Sequence, residues 1–216
     1  MHYKKMIFCD FDGTITTRDT LEGFIQQFTD IDIRALGYEM GKKGYTVKRG
    51  ITEMMALVPS ARYEEGTEYF RNVKIREGFG EFLDVAARME IPVVVISGGI
   101  REMTELVLAP YRDKIAALWA AKVDLSGEWV RFYSDYETET ELVGKVGIIK
   151  GYDCDYAICI GDSYTDMEMG MFGNEVYARD RLAAALTQMG KPFSTFETFY
   201  DIIEKLKAGT GGSCDA

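Results

Sequence analysis

Four short, uninterrupted apolar runs constrain this chain more than any other feature: Met6–Cys9, Ile91–Ile96, Ala157–Ile160 and Val176–Ala178. Runs of this length without polar alternation suit strands covered on both faces, the condition of a parallel sheet between two layers of helix. Apolar residues recur at helical spacing over Met103–Leu108, Glu141–Lys150, Thr165–Phe172, Arg181–Met189 and Phe196–Leu206. The alternation predicts an α/β chain, a Rossmann-like parallel sheet flanked by helices. Roughly 80 residues separate the first two runs, far more than one crossover helix needs. Something is inserted there. From Asp19 to about Asn72 the pattern is amphipathic and helical, with breaks near Gly41–Gly44 and Val58–Ser60. The expected organisation is a core of residues 1–16 and 75–207, a small all-helical cap over 17–74, and a disordered tail over 208–216. Val123–Val130, turning at Ser126–Gly127, reads as a hairpin leaving the sheet.

Composition narrows the chemistry. The net charge of −10 repels phosphate polymers and anionic lipid, and no basic stripe offsets it, so neither a nucleic acid nor a membrane surface is an expected partner. No apolar run approaches a membrane span, and Asp10 ends the first run before a signal-peptide core could form, which points to a cytoplasmic protein. His2 is the only histidine and lies in a terminus expected to fray, so catalysis built on histidine is excluded. Cys9, Cys154, Cys159 and Cys214 form no CxxC pair, and reduced structural thiols are expected. What remains is carboxylates, lysine, hydroxyls or a metal.

In open α/β sheets ligands bind at the carboxyl ends of the strands, so the residues that follow each apolar run are the informative ones. They are Asp10-Phe11-Asp12-Gly13-Thr14, then Ser97-Gly98-Gly99, then Gly161-Asp162-Ser163-Tyr164-Thr165-Asp166. Asp10, Asp12, Asp162 and Asp166 gathered at one rim would repel one another without a cation, and a hard, oxygen-liking ion such as Mg²⁺ suits them. Gly13, Gly98 and Gly99 let backbone amides approach an anion, while Ser97, Thr14 and Lys145 would complete a phosphate cradle. Lys145 and Lys150 share one helical stretch, and spacing alone does not choose between them. Taken singly, each piece has an ordinary explanation as an N-cap, a turn or a surface lysine. Their joint occurrence in this order, each after an apolar run, is what carries the reading.

These residues resemble the four signature motifs of the haloacid dehalogenase superfamily, over essentially the whole ordered chain. An insertion between the first and second motifs is similar to the phosphoserine phosphatase-like subgroup. The stretches Cys9–Thr16, Lys74–Phe79, Val95–Gly99, Ile160–Asp166 and Ala178–Asp180 look closer to the branch of methionine-salvage phosphatases acting on 2-hydroxy-3-keto-5-methylthiopentenyl 1-phosphate. The resemblance implies a Mg²⁺-dependent phosphatase working on a small phosphorylated metabolite through an aspartyl-phosphate. Asp10 would be the nucleophile and Asp12 the general acid and base. Asp10, the backbone carbonyl of Asp12, and Asp162 would ligate the metal, with Asp166 behind them. Ser97, Gly98 and Lys145 would bind the transferring phosphoryl group. In the cap, Asp19 matches an acidic residue that binds the substrate amine in phosphoserine phosphatases. Met54 stands where they carry an arginine for the substrate carboxylate, with Arg49 nearby as a possible substitute. A phosphotransferase would use the same site with an alcohol in place of water.

Overall fold

The computed structural model describes residues 1–210. The chain opens with β1 (His2–Tyr3) and the fully buried β2 (Met6–Cys9). Then come the helices α1 (Thr20–Ile25), α2 (Ile33–Lys42), α3 (Val47–Met55) and α4 (Thr67–Arg71), with 3-10 turns over Gln26–Phe28 and Ser60–Gly66. The main sheet resumes through α5 (Phe79–Arg88), β3 (Val93–Ile100), α6 (Arg101–Leu108), β4 (Ala117–Asp124) and β5 (Arg131–Tyr133). After these come α7 (Lys145–Lys150), β6 (Asp153–Cys154), β7 (Ala157–Gly161) and α8 (Met167–Phe172). The chain closes with β8 (Glu175–Ala178), α9 (Asp180–Gln188), β9 (Ser194–Thr195) and α10 (Phe199–Thr210).

Seven strands lie in the order β5-β4-β3-β2-β7-β8-β9, parallel except for the antiparallel β5 edge. β2 sits in the middle, its Ile7–Cys9 paired with Val93–Val95 on one side and Met6–Cys9 with Ala157–Ile160 on the other. Its alternate residues therefore feed two cores. Ile7 and Cys9 join Val93, Val95, Ile158 and Ile160 beneath α5 and α10, where Phe79, Phe82 and Phe199 pack ring against ring. Met6 and Phe8 join Val94, Ile96 and Cys159 on the opposite face. Each fully buried side chain of this size contributes about 1.5–3 kcal/mol relative to exposure. The second cluster runs on without a break into Leu21, Phe24, Ile25, Ile33, Met55 and Phe70 of the inserted helices.

Several expectations are corrected. The sequence expectation omits β4, although it begins inside the unbroken apolar run Ile115–Ala121, because four of those seven residues are alanine and carry little strand signal. The helix α5 was not picked out either, although Gly78 in the left-handed region at its N-terminus is a start signal. His2 does not fray: β1 pairs in parallel with β6, and the His2 ring lies 3.1 Å from both Asp153 and Asp155. The last helix runs to Thr210, three residues into the segment read as a tail. The rest of that segment, with Cys214, lies outside the described residues. No helix among the described residues is long and apolar enough to cross a membrane.

Candidate active site

The carboxyl ends of β2, β3 and β7 form one rim, and the acidic residues read from the sequence meet there. Asp10 continues β2 by one residue, its N–H donating to the Ile160 carbonyl at 2.9 Å, and its side chain is buried. The amine of Lys145, first residue of α7 and 2% exposed, lies 2.5 Å from one oxygen of Asp10 and 2.5 Å from one of Asp166. Of the two candidate lysines, Lys145 is the one brought to the rim, while Lys150 is exposed at the other end of α7. Asp166 is saturated: its second oxygen accepts the main-chain N–H groups of Asp162 and Ser163, both at 3.0 Å. Asp10 is not. Its Oδ2 is buried without a hydrogen-bond partner.

Oxygens of Asp10, Asp162 and Asp166 lie within 4.8 Å of one another. Electrostatics explains why that grouping calls for a cation. Burial, then Asp166, pushes the Asp10 pKa well up, against the pull of Lys145. Burial and Asp166 likewise raise Asp162 to about 7. Burial opposes the charge on Lys145 too, but Asp10 and Asp166 outweigh it and hold the amine protonated. One ammonium thus serves a rim of four carboxylates, and the uncompensated charge, with the orphaned Asp10 oxygen, fits a divalent metal with oxygen ligands.

Asp12 has a different setting. One oxygen accepts the Thr20 N–H at 3.1 Å and the Thr20 hydroxyl as well; the other accepts the Ser97 hydroxyl at 2.9 Å. Burial raises its pKa, partly countered by these hydrogen bonds. Two glycines make room for the carboxylates. Gly13, at φ +83°, would place a Cβ 2.4 Å from Asp162, and one at Gly99 would fall 2.7 Å from Asp12. Ser97 also accepts the Gly99 N–H at 2.9 Å, while Gly98 faces open space. Thr14, expected in the phosphate cradle, is buried and directs its hydroxyl to Asp162 at 3.3 Å.

Beside the rim opens a cleft of about 850 Å³ lined by Gly13, Asp162 and Arg179 from the sheet and by Asp19, Gln26 and Tyr69 from the inserted helices. Asp19 caps α1 by accepting the Glu22 N–H at 2.9 Å. It is open to cleft water yet walled by protein, and that desolvation together with the Asp12 charge raises its pKa. The other two cap candidates stand elsewhere. Arg49 is exposed, stacked 3.8 Å over Tyr45 and paired with Glu53 at 2.9 Å. Met54 belongs to the apolar cluster, with Phe24 and Phe28. Neither Arg49 nor Met54 lines the cleft. A separate concavity of about 730 Å³ between Tyr63, Glu102 and Arg131 holds none of the rim carboxylates.

Sequence reasoning missed Thr20, Arg76 and Glu141. Thr20 reaches Asp12 across the intervening loop and Arg76 reaches Thr14 across the whole insertion, hydrogen bonds that no periodicity announces. Glu141, 7% exposed, has one unpartnered oxygen close to Lys145; an acidic residue in the run Glu137–Glu141 looks solvated until the fold buries it.

The sequence profile of the haloacid dehalogenase-like hydrolase family matches residues 7–171. A 2-hydroxy-3-keto-5-methylthiopentenyl-1-phosphate phosphatase of Microcystis aeruginosa is 36% identical over 204 residues, covering 94% of this chain and 97% of that one. The protein of the same name from Brevibacillus brevis is 31% identical over 215 residues, covering 96% and 97%. Among solved structures, phosphoserine phosphatase from T. onnurineus superposes with a TM-score of 0.69 at 16% identity, covering 95% of each chain. A phospho-aspartyl intermediate analogue of phosphoserine phosphatase gives 0.67 at 16% identity, covering 94% and 99%. At that identity the likeness speaks for the fold.

Proposed function

The chain belongs to the haloacid dehalogenase-like hydrolases, and from that premise we propose that it is a Mg²⁺-dependent phosphatase hydrolysing 2-hydroxy-3-keto-5-methylthiopentenyl 1-phosphate or a close relative of it. The observation that carries the chemistry is the buried Asp10 carboxylate, with one oxygen held by Lys145 and the other free of any partner. A carboxylate so fixed is a nucleophile with its attacking direction set.

Asp10 attacks phosphorus, the ester P–O bond breaks, and its electron pair leaves on the alkoxide. Asp12 gives that oxygen its proton, a role its raised pKa favours. The Asp12 carboxylate then takes a proton from water, whose oxygen attacks phosphorus and frees Asp10 and inorganic phosphate. Lys145, with Ser97 and the open backbone at Gly98, faces the charge that gathers on the phosphoryl oxygens. Asp10, the main-chain carbonyl of Asp12, and Asp162 would hold Mg²⁺, which when bound supplies charge neutralisation at the phosphoryl group. Residues 17–74 serve as a cap that excludes water during transfer.

The substrate assignment rests on the relatives at 36% and 31% identity. Met54 at the position where phosphoserine phosphatases carry an arginine argues against phosphoserine, and Arg49, the nearby substitute, is paired with Glu53 away from the cleft, although Arg18 and Arg34 of the inserted segment line it. The test is phosphate release from a panel of phosphorylated metabolites with and without Mg²⁺, alongside Asp10→Asn. Metal-dependent release, strongest on the methylthio-ketose phosphate and lost in the variant, is expected. Strongest release from phosphoserine would move the substrate assignment, and release that survives Asp10→Asn would overturn the mechanism.

A further inference from the structure

Arg76 lies on the segment by which the chain returns from the inserted helices to the sheet, in an isolated bridge pairing Thr16 with Ile75. Its guanidinium reaches the loop that follows Asp12. Nε donates to the Thr14 carbonyl at 2.8 Å, and Nη2 to the carbonyls of Gly13 at 2.6 Å and Thr16 at 3.2 Å. Nη1 donates to the Glu197 carbonyl at 3.1 Å, which ties in the segment before α10. Four of its five N–H donors are therefore spent on main-chain oxygens. The main chain adds two further links across the same junction: Arg76 N–H to the Ile15 carbonyl at 2.8 Å and Thr17 N–H to the Lys74 carbonyl at 3.0 Å.

This is a costly way to use an arginine. The side chain is half-buried, and its hydrogen-bond partners are carbonyls rather than a carboxylate. Burial lowers its pKa, and the neighbouring Arg179 works in the same direction. Carbonyls at a turn this tight would otherwise be left to water or to one another. The loop they belong to carries Asp12, the left-handed Gly13 that clears Asp162, and Thr14, whose hydroxyl bonds Asp162. A planar fork can hold three carbonyls at fixed angles; an ammonium cannot.

Resting on the phosphatase reading above, we propose that Arg76 is a positioning residue: by gripping the carbonyls of Gly13, Thr14 and Thr16 it fixes the loop that presents Asp12 and that braces Asp162 through Gly13 and Thr14, and so sets metal affinity and turnover without touching substrate. The same grip makes the geometry of the catalytic loop depend on the strand leading back from the cap.

Arg76→Met and Arg76→Lys separate this from a purely structural role. With p-nitrophenyl phosphate as probe, Arg76→Met is expected to lower kcat by about tenfold or more while KM moves by less than about threefold. The Mg²⁺ concentration for half-maximal activity should rise several-fold, and Arg76→Lys should restore part of both. A second readout needs no turnover: the upward shift in Tm that Mg²⁺ gives the wild type should shrink in Arg76→Met, compared at equal metal. A variant that melts lower without metal but keeps the wild-type kcat, Mg²⁺ half-saturation and Mg²⁺-induced Tm shift would overturn the proposal. If the wild type itself releases no phosphate, the phosphatase reading has failed, and the Mg²⁺-induced Tm shift alone decides the role of Arg76.

Discussion

The rim of carboxylates and the inserted helices are built on opposite terms. At the rim, Asp10, Lys145 and Asp166 are almost wholly buried: Asp10 is fixed by strand register, Asp166 by main-chain donors and Lys145 by its two carboxylate partners. The insertion is dressed with exposed ion pairs, Glu39 with Lys42, Arg49 with Glu53, Arg62 with Glu65 and Glu68 with Arg71, each worth little. It touches the rest of the chain through a shared apolar cluster, the Thr20 bonds to Asp12, the Lys48–Glu137 pair and a few main-chain bonds. Ser60 N–H donates to Glu128, Val130 N–H to Val58, and Lys48 N–H to Thr140, at 2.8–2.9 Å. In the proposed reading, the difference puts stiffness where atoms are placed for phosphoryl transfer and leaves the insertion adaptable.

Asp10→Asn attacks that comparison where the effect should be largest. Phosphate release should fall by about 10³-fold or more, since no other group takes over the nucleophile's part. Stability in the absence of metal should hold or rise, because one of four crowded carboxylates is gone. A variant that unfolded instead would mean that the rim is scaffold before it is catalyst.

Lys145→Met comes next and probes the rim's cohesion. Removing one partner from a buried charge cluster costs about 3–5 kcal/mol, so a marked fall in Tm is expected in metal-free buffer together with loss of turnover. Added Mg²⁺ should recover part of the Tm, since it supplies positive charge to the same carboxylates. Recovery of nothing would argue that Asp10 and Asp162 do not hold the metal.

How much of this was readable in advance follows the same division. The rim was legible because chemistry fixes residue type at strand ends: Asp10, Asp12, Ser97, Asp162 and Asp166 each follow an apolar run. Even there, Lys145 could be told from Lys150 only once α7 was oriented, because one helix offers both. The insertion was legible as helix and not as function. Amphipathic spacing shows which face of α3 is apolar but not where its polar face points, and Arg49 and Met54 prove to lie outside the cleft. Side-chain contacts such as Thr20 to Asp12 across one loop, or Arg76 to Gly13 across the whole insertion, leave no periodic trace.

Glu141 sits where the two regions meet, in the segment that leads from the Lys48 contact to Lys145. Burial first, then Glu168, pushes its pKa up to about 7, with Asp166 adding to the effect and Lys145 opposing it. A carboxyl whose folded pKa lies above its unfolded one binds extra protons in the native state. Its contribution is therefore favourable at low pH and is lost as pH rises from the usual glutamate range through 7. Glu141→Gln should be more stable than the wild type at pH 8, by about 1 kcal/mol, and the gap should close by pH 5. A gap that is the same at both pH values would place the effect in packing.

The smallest expected effect tests the insertion alone. Lys48 and Glu137 form the one ion pair recorded between the inserted helices and the rest of the described chain, at 2.6 Å with both side chains partly exposed. Glu137→Ala should cost less than about 0.5 kcal/mol of stability, as exposed pairs do. If the insertion works as a cap, this bridge is one tether against its opening, and it should not matter to chemistry once substrate is enclosed. KM and product release should then change about twofold, with the single-turnover rate of phosphoryl transfer unaltered. A drop in that rate would mean that the segment from Glu137 to Lys145 passes strain directly to the rim, and the two regions would be less independent than their construction suggests.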